Sequence, residues 1–122
     1  MRLSVITVCY NAAATIKDTI QSVLSQKNVE DLEYIIVDGA SEDGSVEIIQ
    51  SFGDKISKFV SEKDNGLYDA INKGIQMASG DVIGLLHADD LYYSDDILAS
   101  VERSFKNHDI DCLYGNLHYV DK

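Results

Sequence analysis

Apolar and polar positions along the chain sort into strand-like and helix-like segments that take turns. Leu3 to Cys9 (LSVITVC) is a β-rich apolar run, the pattern of a strand covered on both faces. Ile16, Ile20, Val23 and Leu24 then recur at i, i+4, i+7 and i+8, which predicts a helix with one apolar stripe and Asn11 as its N-cap. Tyr34 to Val37 predicts a second buried strand, ended by Asp38 and followed by a turn-rich loop from Gly39 to Gly44. Val46, Ile49 and Phe52 suit a short second helix, and residues 56–60 a third, weaker strand. Leu67, Ile71, Ile75 and Ala78 predict the buried stripe of a third helix, with Asp69, Asn72, Lys73 and Gln76 on another face. Residues 82–86 form a fourth strand with only Gly84 interrupting its apolar run. Ile97, Leu98, Val101 and Phe105 mark a fourth helix, capped by Ser94, and Asp111 to Tyr114 and the NLHYV segment predict two more strands.

Strands that alternate with helices imply βαβ units, hence an α/β fold with a mostly parallel sheet flanked by helices. Repeats, low-complexity tracts and prolines are absent from the sequence, and no composition shift marks an internal boundary, so residues 1–122 read as one unit. The chain reaches Lys122 within strand-rich sequence, which predicts that these residues are part of a larger domain.

Composition narrows the function classes. The sequence is 45% hydrophobic and 25% charged, ordinary globular usage that excludes a disordered chain. Ten basic and 21 acidic residues give a formal charge of −11, and Lys and Arg form no cluster. That excludes a sequence-independent grip on nucleic acid. The acidity serves solubility or, more sharply, lets some carboxylates bind a cation. Cys9 and Cys112 fall in predicted core strands without a pairing or zinc-site spacing, which points to a reducing compartment and a cytoplasmic protein. No export signal opens the sequence, and no apolar run approaches the ~18 residues of a membrane span.

Ligands of open parallel sheets bind at the carboxyl ends of the strands. Three predicted strands end there in polar or aromatic residues: Cys9-Tyr10-Asn11, Asp38-Gly39-Ala40-Ser41 and His87-Ala88-Asp89-Asp90. Each has a plain structural reading as a turn former, a cap or a cover for the sheet end. Their convergence on one edge suggests chemistry. Mg²⁺ and Mn²⁺ prefer oxygen ligands, and Mg²⁺ is usually held by one or two carboxylates plus substrate phosphates. Asp89 and Asp90 supply that number, and a cation between them offsets their mutual repulsion. The remaining ligands would be a diphosphate and waters. A nucleoside diphosphate also has a base to place, on which Tyr10 can stack, while Asp38 can accept a hydrogen from base or ribose. His108 and His118 have no supporting neighbours.

The segments SVITVCYNAAATIKDTIQSVLSQ, EYIIVDGASEDGS, EKDNGLYDAINKGI and ASGDVIGLLHADD, in this order and spacing, resemble the inverting glycosyltransferases of family 2 with the Rossmann-like GT-A fold. The resemblance runs from Leu3 to Asp90 and more weakly to Lys122. It implies that residues 1–122 are the nucleotide-sugar-binding part of such a domain. It implies that Thr7, Tyr10 and Asp38 contact the base and ribose. Asp69, Lys73, His87 and Ala88 join them in nucleotide binding, and Asp89 and Asp90 hold Mn²⁺ or Mg²⁺. Two positions depart from the family pattern. His87 stands where the DxD motif has its first acid, and Ile71 stands where many members carry an arginine that meets the diphosphate, leaving Lys73 as the nearest compensating charge. The GLYDAINKG form resembles a subgroup that acts on cell-surface polysaccharides. The implied reaction is a single displacement on a nucleotide-diphosphate sugar, with a UDP-sugar as the expected donor, by a saccharide or lipid-linked acceptor, with the catalytic base downstream of Lys122. Peripheral association of a longer protein with the inner face of the membrane is compatible with such an acceptor. Two alternatives stay open on the sequence: a nucleotidyltransferase, which shares metal, nucleotide and parallel sheet, and a donor-binding fragment without turnover.

Overall fold

The computed structural model describes residues 2–108, 112–114 and 118–121, with side chains as far as residue 105. The element order is β1 (Arg2–Cys9), α1 (Ile16–Leu24), β2 (Asp31–Asp38), α2 (Ser45–Gln50), a 3-10 turn (Gly53–Lys55), β3 (Lys58–Ser61), α3 (Leu67–Met77), β4 (Val82–Leu85), α4 (Ile97–His108), β5 (Cys112–Tyr114) and β6 (His118–Asp121). The six strands form one sheet in the order β3-β2-β1-β4-β6-β5. β1 pairs in parallel with β2 from Arg2↔Asp31 to Cys9↔Asp38, and on its other side in parallel with β4 from Leu3↔Val82 to Ile6↔Leu85. β3 joins β2 in parallel. β6 runs antiparallel to β4, and β5 antiparallel to β6, so the predicted mostly parallel sheet ends in an antiparallel edge.

The strands of the sheet centre are apolar at successive positions because both faces are covered. Leu3, Val5 and Cys9 of β1 and Tyr34 and Ile36 of β2 pack with Ile16, Ile20 and Val23 of α1, Ile49 of α2 and Leu98, Val101 and Phe105 of α4. Residues one position out of phase, Ile6, Ile35, Val37 and Ile83, face α3 through Ala70 and Ala78. The period-2 alternation of a strand thus divides the core into two layers.

Three local expectations are corrected. α1 begins at Ile16 with Thr15 before it, so Asn11 is not its cap; Asn11 has a left-handed backbone (φ 49) and its side-chain oxygen accepts the Glu42 N–H at 3.0 Å. The stripe of α3 does not start at Leu67, which is exposed. The helix buries Ala70 and Gly74, with Ile71 and Ile75 half-buried. Small residues let α3 lie close to β1: a Cβ on Gly74 would fall 2.5 Å from Ile6 Cγ2. Ser94 turns its hydroxyl to Asp96, and an N–H of the first turn of α4, that of Leu98, is met by Gln26 Oε1 at 3.0 Å. The expected burial of Cys112, and the surroundings of Asp109, Asp111 and the Asp121 side chain, lie outside the described residues.

At the amino end of the sheet, Glu33 of β2 is buried. Its carboxylate accepts from Ser4 Oγ (2.8 Å), the Ser79 N–H (2.8 Å) and Ser79 Oγ (2.9 Å), and Lys58 Nζ lies 3.2 Å away. Burial alone would raise its pKa, but these donors outweigh it and hold the carboxyl at about 2, well below the usual carboxylate range.

Candidate nucleotide-sugar site

β1 and β4 leave the sheet on opposite sides of the point where the strand order reverses, the place where α/β sheets open a crevice. There, at the carboxyl ends of the parallel strands, the structure has an open cleft of about 910 Å³. Val8 to Ala12, Ala14 and Thr15 line it from the end of β1 to the start of α1, Gly39, Ala40 and Glu42 after β2, Lys63 and Asp64 after β3, Gly66, Leu67 and Ala70 from the start of α3, and His87 to Asp89 after β4.

Two neighbouring loops shape its floor by exchanging hydrogen bonds. The Asn11 N–H donates to Ser41 Oγ (2.8 Å), the Ala12 N–H to Ser45 Oγ (3.0 Å) and the Ala13 N–H to Asp43 Oδ2 (3.0 Å). Hydrogen bonds from the Ser45 hydroxyl and the Ala13 N–H hold the Asp43 carboxyl below the usual carboxylate range. Asn11 and Ala40 both take positive φ, so tight turns rather than helix starts present this floor. Gly39 leaves room for two side chains: a Cβ there would lie 2.8 Å from Asp64 Oδ2 and 3.4 Å from Tyr10 Cδ1. Tyr10, 69% exposed, is free to cover a flat ligand.

Of the residues singled out by sequence, Tyr10, His87, Ala88 and Asp89 line the cleft together. The other five stand outside the lining, each for a visible reason. Thr7 is fully buried, and its hydroxyl is 2.8 Å from the Tyr34 hydroxyl. Asp38 is also fully buried: its carboxylate accepts from the Ser41 N–H (2.9 Å), Ser41 Oγ (2.6 Å) and Ser61 Oγ (2.8 Å), so it braces the loop beneath the cleft. Asp69 Oδ2 accepts the Asn65 N–H at 2.9 Å, and Lys73 pairs with Glu62 at 3.2 Å, both tying α3 to the loop before it. Burial would lower the Lys73 pKa, but Glu62, Asp69 and Asp64 raise it and keep the ammonium charged. Asp90 is exposed one residue past the lining. Cys9 lines the cleft as a buried free thiol, with its pKa pushed up to about 11 by burial and by the Asp38 carboxylate.

Sequence reasoning gave no role to Asp64, Glu42 or Lys63. Asp64 Oδ1 accepts the Gly66 N–H at 3.0 Å, the local turn of an Asp-Asn-Gly segment, while Oδ2 lies over Gly39. The Asp-x-Gly turn was visible in the sequence; its arrival beside Tyr10 was not, because β3 is short and weakly patterned.

The donor set of the cleft bears on a cation. Glu42, Asp64 and Asp89 face Lys63 as the one Lys or Arg of the lining. Among the described residues the Asp89 carboxylate has no hydrogen bond or ion pair, and no group of three or more His, Cys, Asp or Glu stands ready to enclose a metal. One free carboxylate in an acidic cleft fits a hard divalent ion that takes its remaining ligands from substrate phosphates and water.

The sheet order and the crevice at its reversal point define a doubly wound α/β domain with an acidic cleft at the strand ends. The chain belongs to glycosyl transferase family 2, whose pattern it matches over residues 4–122, and its fold is that of the GT-A glycosyltransferases. It is 36% identical over 97 residues to an uncharacterized glycosyltransferase of Mycobacterium tuberculosis, covering 80% of this chain and 37% of that protein. It is 32% identical over 118 residues to a PGL/p-HBAD biosynthesis glycosyltransferase of Mycobacterium bovis BCG, covering 93% of this chain and 46% of that one. Among solved structures, a mannosyltransferase from Pyrobaculum calidifontis in complex with GDP-Man and Mn²⁺ superposes with a TM-score of 0.86 at 20% identity, over 98% of this chain and 44% of its own. Staphylococcus aureus TarS 1–349 in complex with UDP-GlcNAc gives 0.84 at 22% identity, over 92% and 33%. The chain therefore spans less than half the length of these proteins.

Proposed function

We propose that this chain binds a nucleotide-diphosphate sugar, most simply a UDP-sugar, in the cleft and belongs to a metal-dependent, inverting transferase that passes the sugar to a saccharide or lipid-linked acceptor in cell-surface polysaccharide synthesis. The observation that carries the reading is the unpaired Asp89 carboxylate opposite Tyr10 in a cleft at the β1/β4 crevice. Tyr10 offers a face for the base, and His87 offers a ring nitrogen to ribose or phosphate. Asp89, with Asp90 beside it, would hold Mn²⁺ or Mg²⁺. Such a cation, when bound, supplies positive charge against the diphosphate that leaves. Asp38 and Thr7 support from below: Asp38 fixes Ser41, which holds the Asn11 backbone next to Tyr10.

In the single displacement, the acceptor hydroxyl attacks the anomeric carbon as the bond to the diphosphate breaks, and a base takes the hydroxyl proton. No residue of the described cleft is assigned as that base; we place it in the acceptor half of a longer chain. We place the enzyme in the cytoplasm, where it meets its acceptor at the inner face of the membrane; the free thiol of Cys9 is compatible with such a reducing compartment.

The test is calorimetric titration of UDP and GDP with Mn²⁺ and then with EDTA. Binding is expected to be tighter with Mn²⁺, and Asp89→Ala is expected to remove that gain more fully than Asp90→Ala, since only Asp89 lines the cleft. Equal affinity in Mn²⁺ and EDTA would overturn the metal-dependent reading.

A further inference from the structure

The Asp89 carboxylate makes no hydrogen bond among the described residues, so its placement is constrained only through the backbone that carries it. That backbone is held from outside the turn. Thr15 Oγ1, just before α1, and Thr19 Oγ1, one turn further on, both lie 2.9 Å from the Ala88 carbonyl oxygen, to which Thr15 donates. Thr19 Oγ1 also lies 2.5 Å from the Asp90 carbonyl oxygen. The Ala88 N–H donates to Val8 O of β1 at 3.2 Å, and the Asp90 N–H to His87 O at 3.0 Å. The peptide groups on both sides of Asp89 are therefore fixed, and with them the direction of its Cα–Cβ bond.

A helical threonine ordinarily turns its hydroxyl to the carbonyl one turn back. Thr19 Oγ1 is 3.4 Å from Thr15 O but 2.9 Å from Ala88 O and 2.5 Å from Asp90 O, so its one proton goes to the tertiary contacts, Asp90 O being the nearest. The same face of α1 continues the grip: Ser22 Oγ accepts the Tyr92 N–H at 3.1 Å, and Gln26 Nε2 donates to Ser94 O at 2.7 Å. At spacings i, i+4, i+7 and i+11 these four side chains lie along one stripe of α1 and its C-terminal extension. Thr15 and Thr19 together thus hold the carbonyls of the residues on either side of the cleft carboxylate, Ala88 and Asp90.

We propose that Thr15 and Thr19 are positioning residues that aim Asp89 at the cation of a cation–diphosphate ligand. This rests on the proposed metal-dependent donor binding. Side chains that orient a metal ligand typically account for roughly 10–100-fold in metal affinity.

The double variant Thr15→Val/Thr19→Val keeps the side-chain shape and removes both hydroxyls; Thr15→Ser/Thr19→Ser keeps the hydroxyls. UDP affinity is measured for each with Mn²⁺ and with EDTA, alongside the electron paramagnetic resonance of Mn²⁺ in the presence of UDP and the thermal unfolding midpoint. The valine pair is expected to reduce the Mn²⁺-dependent gain in UDP affinity by roughly tenfold or more. Affinity in EDTA is expected to stay as in the unaltered chain, with an altered Mn²⁺ spectrum, and the serine pair is expected to restore the gain. If the valine pair does not fold, the half-buried Thr15→Val alone is read in the same way, with a smaller loss expected. A folded valine variant with the full gain, an equal loss in Mn²⁺ and EDTA, or a serine pair that fails to restore the gain would each overturn the proposal. An unaltered chain without any Mn²⁺ gain would overturn the metal-dependent reading itself, and the positioning role with it.

Discussion

Replacing Glu33 with glutamine tests the electrostatics of the sheet directly. In the folded chain its carboxyl titrates at about 2 instead of 4.5. A group whose folded pKa is depressed stabilises the fold above its unfolded pKa and loses that contribution as pH falls through the folded value. The difference corresponds to ~3 kcal/mol at neutral pH, a large share of the roughly 5–15 kcal/mol that keeps a domain folded. Glu33→Gln removes the charge and also turns an amide NH₂ toward Ser4, Ser79 and Lys58, which are donors. The expected loss is thus ~3 kcal/mol at pH 7. With a urea m-value of roughly 1–3 kcal/mol/M, the unfolding midpoint should drop by about 1–3 M. The gap between the two proteins should be constant above pH ~4.5 and narrow steadily as the pH is lowered toward 2. Urea titrations at several pH values between 3 and 7 measure it. A gap below ~1 kcal/mol at pH 7, or one that does not narrow in acid, would refute the reasoning.

Four other outcomes follow from the geometry. Tyr10→Ala should weaken UDP binding by roughly 10–100-fold if the ring stacks on the base, since such stacking contributes ~1–3 kcal/mol; calorimetry in Mn²⁺ decides it. Gly74→Ala should cost ~1–2 kcal/mol in urea unfolding, because its Cβ would meet Ile6 Cγ2 at 2.5 Å and only part of that is offset by better helix propensity; a stabilised variant would contradict the packing. In a Cys112→Ser background, Cys9 should react with a thiol reagent at neutral pH roughly 100-fold more slowly than an ordinary thiol and accelerate as the pH rises toward 11, whereas fast labelling would contradict its surroundings. Residues 1–122 alone should release nucleotide slowly and give no acceptor-dependent product; glycosylated product from a panel of saccharide acceptors would place the base within this chain.

The six strands and four helices were all legible as periodic segments, and so was the sheet edge at which the cleft opens. Strand direction at the sheet edge was not: nothing in the NLHYV pattern says that β6 runs antiparallel to β4. Helix α3 was misread on its buried stripe because periodicity weighs large apolar residues, whereas close packing against Ile6 selects small ones. Ala70, Gly74 and Ala78 at four-residue intervals carried that signal. Within the site, Tyr10, His87, Ala88 and Asp89 reach the cleft because they lie beyond the last paired residues of their strands. Thr7 and Asp38 were placed on the right strands, but Thr7 turns its hydroxyl to Tyr34 inside the sheet, and Asp38, the last paired residue of β2, is enclosed by Ser41 and Ser61. Asp64 reaches the cleft through a loop, and no periodicity reports where a loop arrives.

The two enclosed acids of β2 constrain which alternative pairings the chain can adopt. Glu33 and Asp38 stand an odd number of positions apart, so they turn to opposite faces of the strand, and each meets its own donors there: Ser4, Ser79 and Lys58 for Glu33, and Ser41 and Ser61 for Asp38. If β2 slid by one residue against β1, both carboxylates would change faces at once. Each would then be buried without its donors, at a cost of several kcal/mol per ion. An apolar strand such as YIIV would tolerate that slip, because it is hydrophobic on either face. The charges at its two ends make the slipped sheet an unfavourable competitor, and so they narrow the misfolded states open to a chain whose core strands are otherwise interchangeable.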